Sequence, residues 1–235
     1  MTTQPYTYLG LTNEVLLALN EVLLTSANFG DATGFHAQVK ESINYSIQDI
    51  IEEEDSEWDF QWATTSFTVS TDGTQEYSLL STTDHVDWDS FYIEKNQTFI
   101  DAGDDGYHKE LQYLDYDNWR KNYRENDKNM VSTSYTKPNY VVRKPDSTKV
   151  IVSPPADLAY EINYEYFIEA TELEDYNDVP LIPEKYKSQI VEKAKTYSYM
   201  FRDNIEQSAL QDKRSEDKIN RMRRNSIPQA ESMRF

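Results

Sequence analysis

The sequence predicts an α+β protein: a helical core of two N-terminal helices plus a long C-terminal helix, with an inserted antiparallel β-rich region and a C-terminal arm. Three observations carry this. Apolar residues recur at three- and four-residue spacing near the start of the chain and again after Pro183. Between Trp58 and Ile168 the chain consists of short runs of Thr, Tyr, Phe and Val separated by turn residues. Beyond Gln211 it turns basic and poor in apolar residues. At 235 residues there is chain enough to bury a sizeable core.

The first helix is expected from Thr12, as N-cap, to about Leu24, because Val15, Leu16, Leu19, Val22 and Leu23 form one stripe. ANFGDATG is a loop, and Val39, Ile43, Ile47, Ile50 and Ile51 then set a second amphipathic helix ending near EEED. That acidic end opposes the helix dipole, so it frays, is solvated, or meets a basic partner. SFTVS, a TDGT turn and QEYSLL read as a hairpin, with Asp72-Gly73 as the turn signal. Further strand candidates are SFYIE, QTFID, KELQYL, NYVVRK, KVIVS and EINYEYFI, with a second hairpin joined at Asp146-Ser147. These make a compact antiparallel sheet or small sandwich. YDNWRKNYRENDKNM is a short helix or a surface loop, with the helix favoured.

DVPLIPEKYKSQIVEKA then opens the last core element. Pro183 suits the first helical position, where its missing N–H costs nothing, and Glu184 suits the positive end of the dipole. Tyr186, Ile190, Ala194, Tyr197, Phe201 and Ile205 continue the period past Leu210. The closing KRSEDKINRMRRNSIPQAESMRF, with 7 basic and 3 acidic residues, reads as an arm. The expected divisions are 1–62 for the N-terminal part of the helical core, 63–177 for the β-rich insertion, 178–212 for the long core helix and 213–235 for the arm.

Charge and composition exclude several function classes. Net charge is −19, and residues 1–105 alone hold 20 acidic and 2 basic residues. Such a surface repels phosphates and disfavours DNA binding by counterion release. Cysteine is absent, which removes thiol catalysis, thiolate zinc sites and redox switching. MTTQPYTYLG lacks the basic and apolar regions of a signal peptide, and VLLALNEVLL is too short to span a bilayer, so a soluble, unexported protein with no membrane contact is expected.

The search for chemistry assigns no catalytic residue, metal or cofactor. His36, His85 and His108 sit in different segments without paired spacing. DWDSFYIEKNQT and DYDNWRKNYREN begin like calcium loops but place Tyr92 and Arg120 where glycine belongs, and Thr98 and Asn126 where glutamate belongs. Asp101, Asp104 and Asp105 in DAGDDG either gather round a cation or, as is commoner, form tight turns. No glycine-rich phosphate loop or G-x-S-x-G elbow is present. Eighteen tyrosines and four tryptophans, interleaved with acids, fit sheet faces and protein interfaces better than nucleic-acid stacking.

The order of elements nevertheless has a pattern. VKESINYSIQDI and EWDFQW are followed by FTVSTDGTQEYSLL and then by a late block, KPNYVVRKPDSTKVIVSPPADLAYEINYEYFIEATELEDYNDVPLIPEKYKSQIVEKAKTYSYMFRDNIEQSALQ. This resembles the head-to-tail adaptor (connector) proteins of tailed bacteriophages, over most of residues 10–224. Family features fall on Ile43, Asn44, Trp58, Phe60, Gly73 and Tyr77, then on Pro138, Tyr140, Pro154, Tyr164 and Tyr166, and finally on Asp178, Pro180, Pro183, Tyr186 and Met222. Two departures are Thr136, where the family often has glycine, and the stretch from His85 to Arg124, which has no clear counterpart.

The resemblance implies a structural virion protein made in the host cytoplasm and built into the neck. It would form a ring beneath the portal, commonly a dodecamer, and meet the portal protein above and tail nozzle, hub or tail-tube proteins below. Genomic DNA would pass through the ring without specific binding. In this family the C-terminal segment often reaches the portal, which makes Arg221, Arg223, Arg224, Met233 and Phe235 the candidate portal-binding residues, with Asp178, Pro180, Pro183 and Tyr186 forming the structural turn and helix start. The alternatives are a virion-associated cell-wall glycosidase with unidentified carboxylates, or another neck or tail-completion protein.

Overall fold

The computed structural model describes residues 5–52, 58–94, 109–145 and 148–226. It is a mixed α+β protein in two compact units, Met1–Gln61 with Ala170–Phe235, and Trp62–Glu169. The described helices are α1 (Tyr8–Ala18), α2 (Phe35–Ile51), α3 (Tyr116–Asn122), α4 (Arg124–Asn129), α5 (Lys187–Met200) and α6 (Ile205–Ser226). The strands are β1 (Trp62–Thr68), β2 (Glu76–Ser78), β3 (Thr83–Val86), β4 (Tyr92–Ile93), β5 (Lys109–Glu110), β6 (Gln112–Leu114), β7 (Tyr140–Arg143), β8 (Lys149–Ser153) and β9 (Glu161–Ile168). Among the described residues no helix is long and apolar enough to cross a membrane.

In the first unit, α2 buries the stripe its spacing predicts, with Val39, Ile43 and Ile50 at 0 % exposure. The first helix differs from expectation. It begins at Tyr8 with Thr7 as N-cap, whose Oγ1 accepts from the Gly10 N–H at 3.2 Å, and it ends at Ala18. Thr12 is buried inside it, donating to the Tyr8 carbonyl at 2.8 Å. The chain leaves the helix through Asn20, at φ +57, and returns to Asn13, whose side chain holds both the N–H and the carbonyl of Leu24 at 2.8 and 2.9 Å. Leu11, Val15, Ile43, Trp58, Ile182, Ile190, Ile219 and Met222 belong to one buried cluster.

The single long C-terminal helix that the spacing predicts is two helices. Asp203 takes a left-handed φ of +53, and Asn204 restarts the helix by accepting from the Gln207 N–H at 3.2 Å. Residues 213–226, expected as the start of an arm, continue α6 and bury Ser215, Ile219 and Met222. Pro183 is likewise not the first helical residue. It is extended, at ψ 146, ahead of a 3-10 turn at Glu184–Tyr186 from which α5 grows.

The second unit has two sheets. In one, β1, β9, β4 and β5 lie in that order and β3 also pairs with β9, all antiparallel. The other runs β2-β8-β7-β6, antiparallel except for the parallel β6–β7 pair. The expected β1–β2 hairpin does not form: β1 pairs with β9, Trp62 opposite Phe167, and β2 with β8, Tyr77 opposite Val150. The Asp72-Gly73 turn instead carries the chain from one sheet to the other. Gly73 sits at φ +89, where a side chain is strained, and a Cβ there would overlap the Tyr135 hydroxyl. β7 and β8 pair antiparallel as expected, while their linking Asp146 and Ser147 lie outside the described residues. QTFID lies outside them too. Phe91, Ile93, Val141, Val150, Ile162 and Tyr164 form the buried cluster. Beside it, Asp127 is 5 % exposed and accepts at one oxygen from Trp119 Nε1 at 3.2 Å, Gln75 Nε2 at 3.0 Å and Ser153 Oγ at 2.7 Å.

Candidate functional site

The segment from Leu173 to Tyr186 is an irregular stretch of the first unit whose hydrogen bonds explain its sequence. Asn44 on α2 donates to the Leu173 carbonyl and accepts from its N–H, both at 3.1 Å, so a side chain supplies what a sheet neighbour otherwise would. The Asp178 carboxylate accepts from the backbone N–H groups of Glu174 and Asp175 at 2.8 and 2.7 Å. The loop this closes aims two carbonyls at the start of α1: Asp178 O accepts from the Tyr8 N–H at 2.8 Å and Tyr176 O from the Leu9 N–H at 3.0 Å. A helix leaves its first amides unpaired, and here a distant loop takes them. Pro180 is buried, and the Tyr6 hydroxyl donates to the Ile182 carbonyl. Burial, reinforced by the Glu184 charge, pushes the Tyr6 hydroxyl's pKa far up, and burial does the same for Tyr8 beside Glu41 and Glu172.

Asp178, Pro180, Pro183 and Tyr186 are thus brought together, and their side chains close a loop and seat a helix. The portal-binding candidates lie elsewhere. Arg221 and Arg224 are exposed on the last turns of α6, and Arg223 donates to the Asn220 side chain at 3.4 Å. Met233 and Phe235 lie outside the described residues.

A charged cluster joins α5 to α6. Glu192 meets Lys218 at 3.0 Å and Lys195 at 3.3 Å and accepts from Gln211. Burial alone would raise the Glu192 carboxyl's pKa, but the hydrogen bonds from Lys218 and Gln211 and the two ammonium charges outweigh it and hold it below the ordinary range. Lys193 of α5 bridges Asp49 on α2 at 3.5 Å and Asp212 on α6 at 3.4 Å. Sequence reading passed over this cluster, whose local signal is the three-residue spacing of Glu192 and Lys195.

The described residues of the types that suggested chemistry have local structural partners. Asp87 accepts from the Asp89 N–H at 3.0 Å, and Asp115 caps α3 through Asp117 and Asn118. His85 stacks on Phe167 at 4.2 Å and pairs with Asp84 at 3.0 Å; His36 meets the Val22 carbonyl at 2.9 Å. Asp101, Asp104, Asp105 and His108 lie outside the described residues. Among the described residues no group of three or more His, Asp or Glu side chains is placed to hold a metal. A cavity of about 330 Å³ in the second unit is lined by Leu80, Thr83, His85, Trp88 and Arg143. A wide groove of about 610 Å³ in the first, between α5 and α6, is lined by Tyr197, Met200, Ile205 and Ala209.

The model of one protein family, described as SU10 adaptor protein, matches residues 6–233 of the chain. No curated protein matches it.

Proposed function

The chain belongs to the SU10 adaptor protein family, a phage adaptor family with a structural role, and from that premise we propose that it is the head-to-tail adaptor that joins the portal to the tail and extends the DNA channel. The observation that carries the reading is the extent of the match. It runs from the residue before α1's cap to beyond α6, and so takes in both units. The site geometry supports it, since the side chains best placed to do chemistry are occupied in closing loops and capping helices. In the proposed role copies of the chain form a ring at the virion neck, with portal protein on one side and tail proteins on the other.

Two finer parts belong to the proposal. DNA passes without specific binding, because a wall rich in the carboxylates of residues 1–105 offers phosphates no cations. The end of the chain reaches the portal, with Arg221, Arg223 and Arg224 pairing with acidic groups and Met233 and Phe235 filling apolar pockets. Because Met222 is buried, the informative truncation falls after Ser226 and is combined with Arg221→Glu and Arg224→Glu. Portal assembly unchanged in that variant sinks the portal-contact role. Cryo-EM of purified particles tests the whole reading: density for this chain between portal and tail is expected, and its absence there refutes it.

A further inference from the structure

We propose that the first unit carries both halves of a contact between copies, in which the outer face of α2 in one copy docks on the outer face of α6 in the next. The proposal takes from the adaptor reading only that copies meet, and it assigns Arg221 and Arg224 to the next copy in place of the portal groups named above, which leaves Arg223, Met233 and Phe235 as the portal candidates. α6 buries Ser208, Gln211, Ser215, Ile219 and Met222, and this turns Lys213, Arg214, Arg221 and Arg224 outward, around Glu216 and Asp217. Among the described residues Lys213, Arg214 and Arg221 meet no carboxylate, and Arg224 donates only to the Asn220 carbonyl at 3.3 Å. The inner lysines Lys193, Lys195 and Lys218 are all paired. The outer row therefore keeps a positive surplus within the copy, with four basic residues against Glu216 and Asp217.

The complementary row lies on α2. Its exposed line is Glu41, Tyr45, Gln48 and Glu52, with no basic residue in it. Residues 1–61 hold 11 acidic residues and one basic, Lys40, whose ammonium is held by the Phe29 carbonyl at 2.9 Å and lies over the Phe29 ring. At about 1.5 Å per residue, Glu41 to Glu52 and Arg214 to Arg224 span about 16 and about 15 Å, so the rows match in length as well as in sign. Large apolar side chains are exposed on both helices, Tyr45 at 46 % on α2 and Ile205 at 79 % and Leu210 at 49 % on α6. Within a copy the rows do not meet, because α5 stands between the helices and bridges both through Lys193. Two different patches that pair only between copies make a heterologous contact, which propagates into rings or filaments.

The chain lacks cysteine, so paired cysteines can be installed cleanly. Gln48→Cys with Asn220→Cys puts one thiol at the middle of each row, both at exposed positions. Oxidation at about 0.15 M salt, which screens long-range repulsion but leaves contact pairs, should give a ladder of dimers, trimers and larger species. Product stopping at monomer or dimer overturns the proposal. In the same background, Glu41→Lys with Glu52→Lys, or Arg214→Glu with Arg221→Glu, should each reduce the ladder at least about tenfold, and mixing the two chains should restore it as an alternating polymer. The lysine variant is decisive, because it moves the net charge of −19 toward zero. A stronger ladder from it means that only overall repulsion was at work and overturns the contact. If α6 instead binds a different acidic protein, the arginine reversals abolish that capture while the ladder is absent throughout, which again overturns it. A chain found at the portal vertex without a ladder sinks the contact and leaves the adaptor reading intact; a ladder from a chain absent from that vertex supports the contact and sinks the adaptor reading.

Discussion

Replacing Met222 by alanine separates a C-terminal helix that belongs to the core from one that hangs off it. Met222 has 0 % exposure and lies in the buried cluster with Leu11, Ile43, Trp58 and Ile190. The substitution removes three heavy atoms from a packed site, and truncations of this kind cost about 2–5 kcal/mol, because lost transfer energy and a residual cavity add. Taking about 3 kcal/mol and a urea slope of about 2 kcal/mol per molar, the unfolding midpoint of the helical unit falls by about 1.5 M. Because a chain of two units need not unfold in one step, the urea series is read by hydrogen exchange of the amides in 187–226 rather than by a global signal alone. Arg221→Ala and Arg224→Ala, on the opposite, exposed face, should stay within about 0.5 kcal/mol of the parent. A Met222→Ala midpoint as close to the parent as those of the arginine variants refutes the packing of α6 and returns residues 213–226 to the status of a solvated arm.

Asn44→Ala leaves both backbone groups of Leu173 without their partner and should cost the helical unit about 2–3 kcal/mol in thermal melts, whereas Asn44→Asp, which keeps the acceptor for the Leu173 N–H, should cost less. Glu192 has a folded pKa below its ordinary value of 4.5, so its contribution is fully present above that value and is lost as pH falls through the depressed one; the unit's urea midpoint should drop on acidification below pH 4.5, and Glu192→Gln should flatten that part of the curve. Gly73→Ala forces a side chain into φ +89 and against the Tyr135 hydroxyl, which should destabilise the β unit by more than about 1 kcal/mol by urea titration; adding Tyr135→Phe should recover only the steric share.

What was legible in the sequence depended on whether a segment's own residues decide its structure. α2 was legible because five of its seven buried positions are aliphatic, Ser42 and Ser46 being the other two. α1 was misplaced by five residues because Thr12 has the chemistry of a cap but spends its hydroxyl on the Tyr8 carbonyl, one turn back inside the helix. The C-terminal half of α6, from residue 213, read as an arm because its described buried positions are only Ser215, Ile219 and Met222, set among charged residues; its first half buries Ser208 and Gln211 against polar groups of α5, Ser208 donating to the Thr196 carbonyl at 3.2 Å and Gln211 to Glu192. The break before it was detectable, since Asn204 and Gln207 have the spacing of a capping box. Strand partners were not legible at all. A Gly in the left-handed region fixes the direction of a turn but not the strand that waits beyond it, and β1 finds its partner in β9.

The same distinction bears on the stretch DVPLIPEKY. Two prolines and an acid before a helix read from sequence as either an active-site mouth or a helix start. Both backbone donors that close this loop converge on one Asp178 oxygen, and the residue's carbonyl is taken by the Tyr8 amide, so the acid has a loop-closing duty. Tyr6 and Tyr8 are buried, with pKa values pushed away from the physiological range rather than toward it. What the segment secures is the seat of the helical cluster to which α2 and α6 both contribute. The outward faces of those helices are where surplus charge remains. Those faces carry opposite signs on one unit, which is what a protein that must recognise its own copies from one direction only would need.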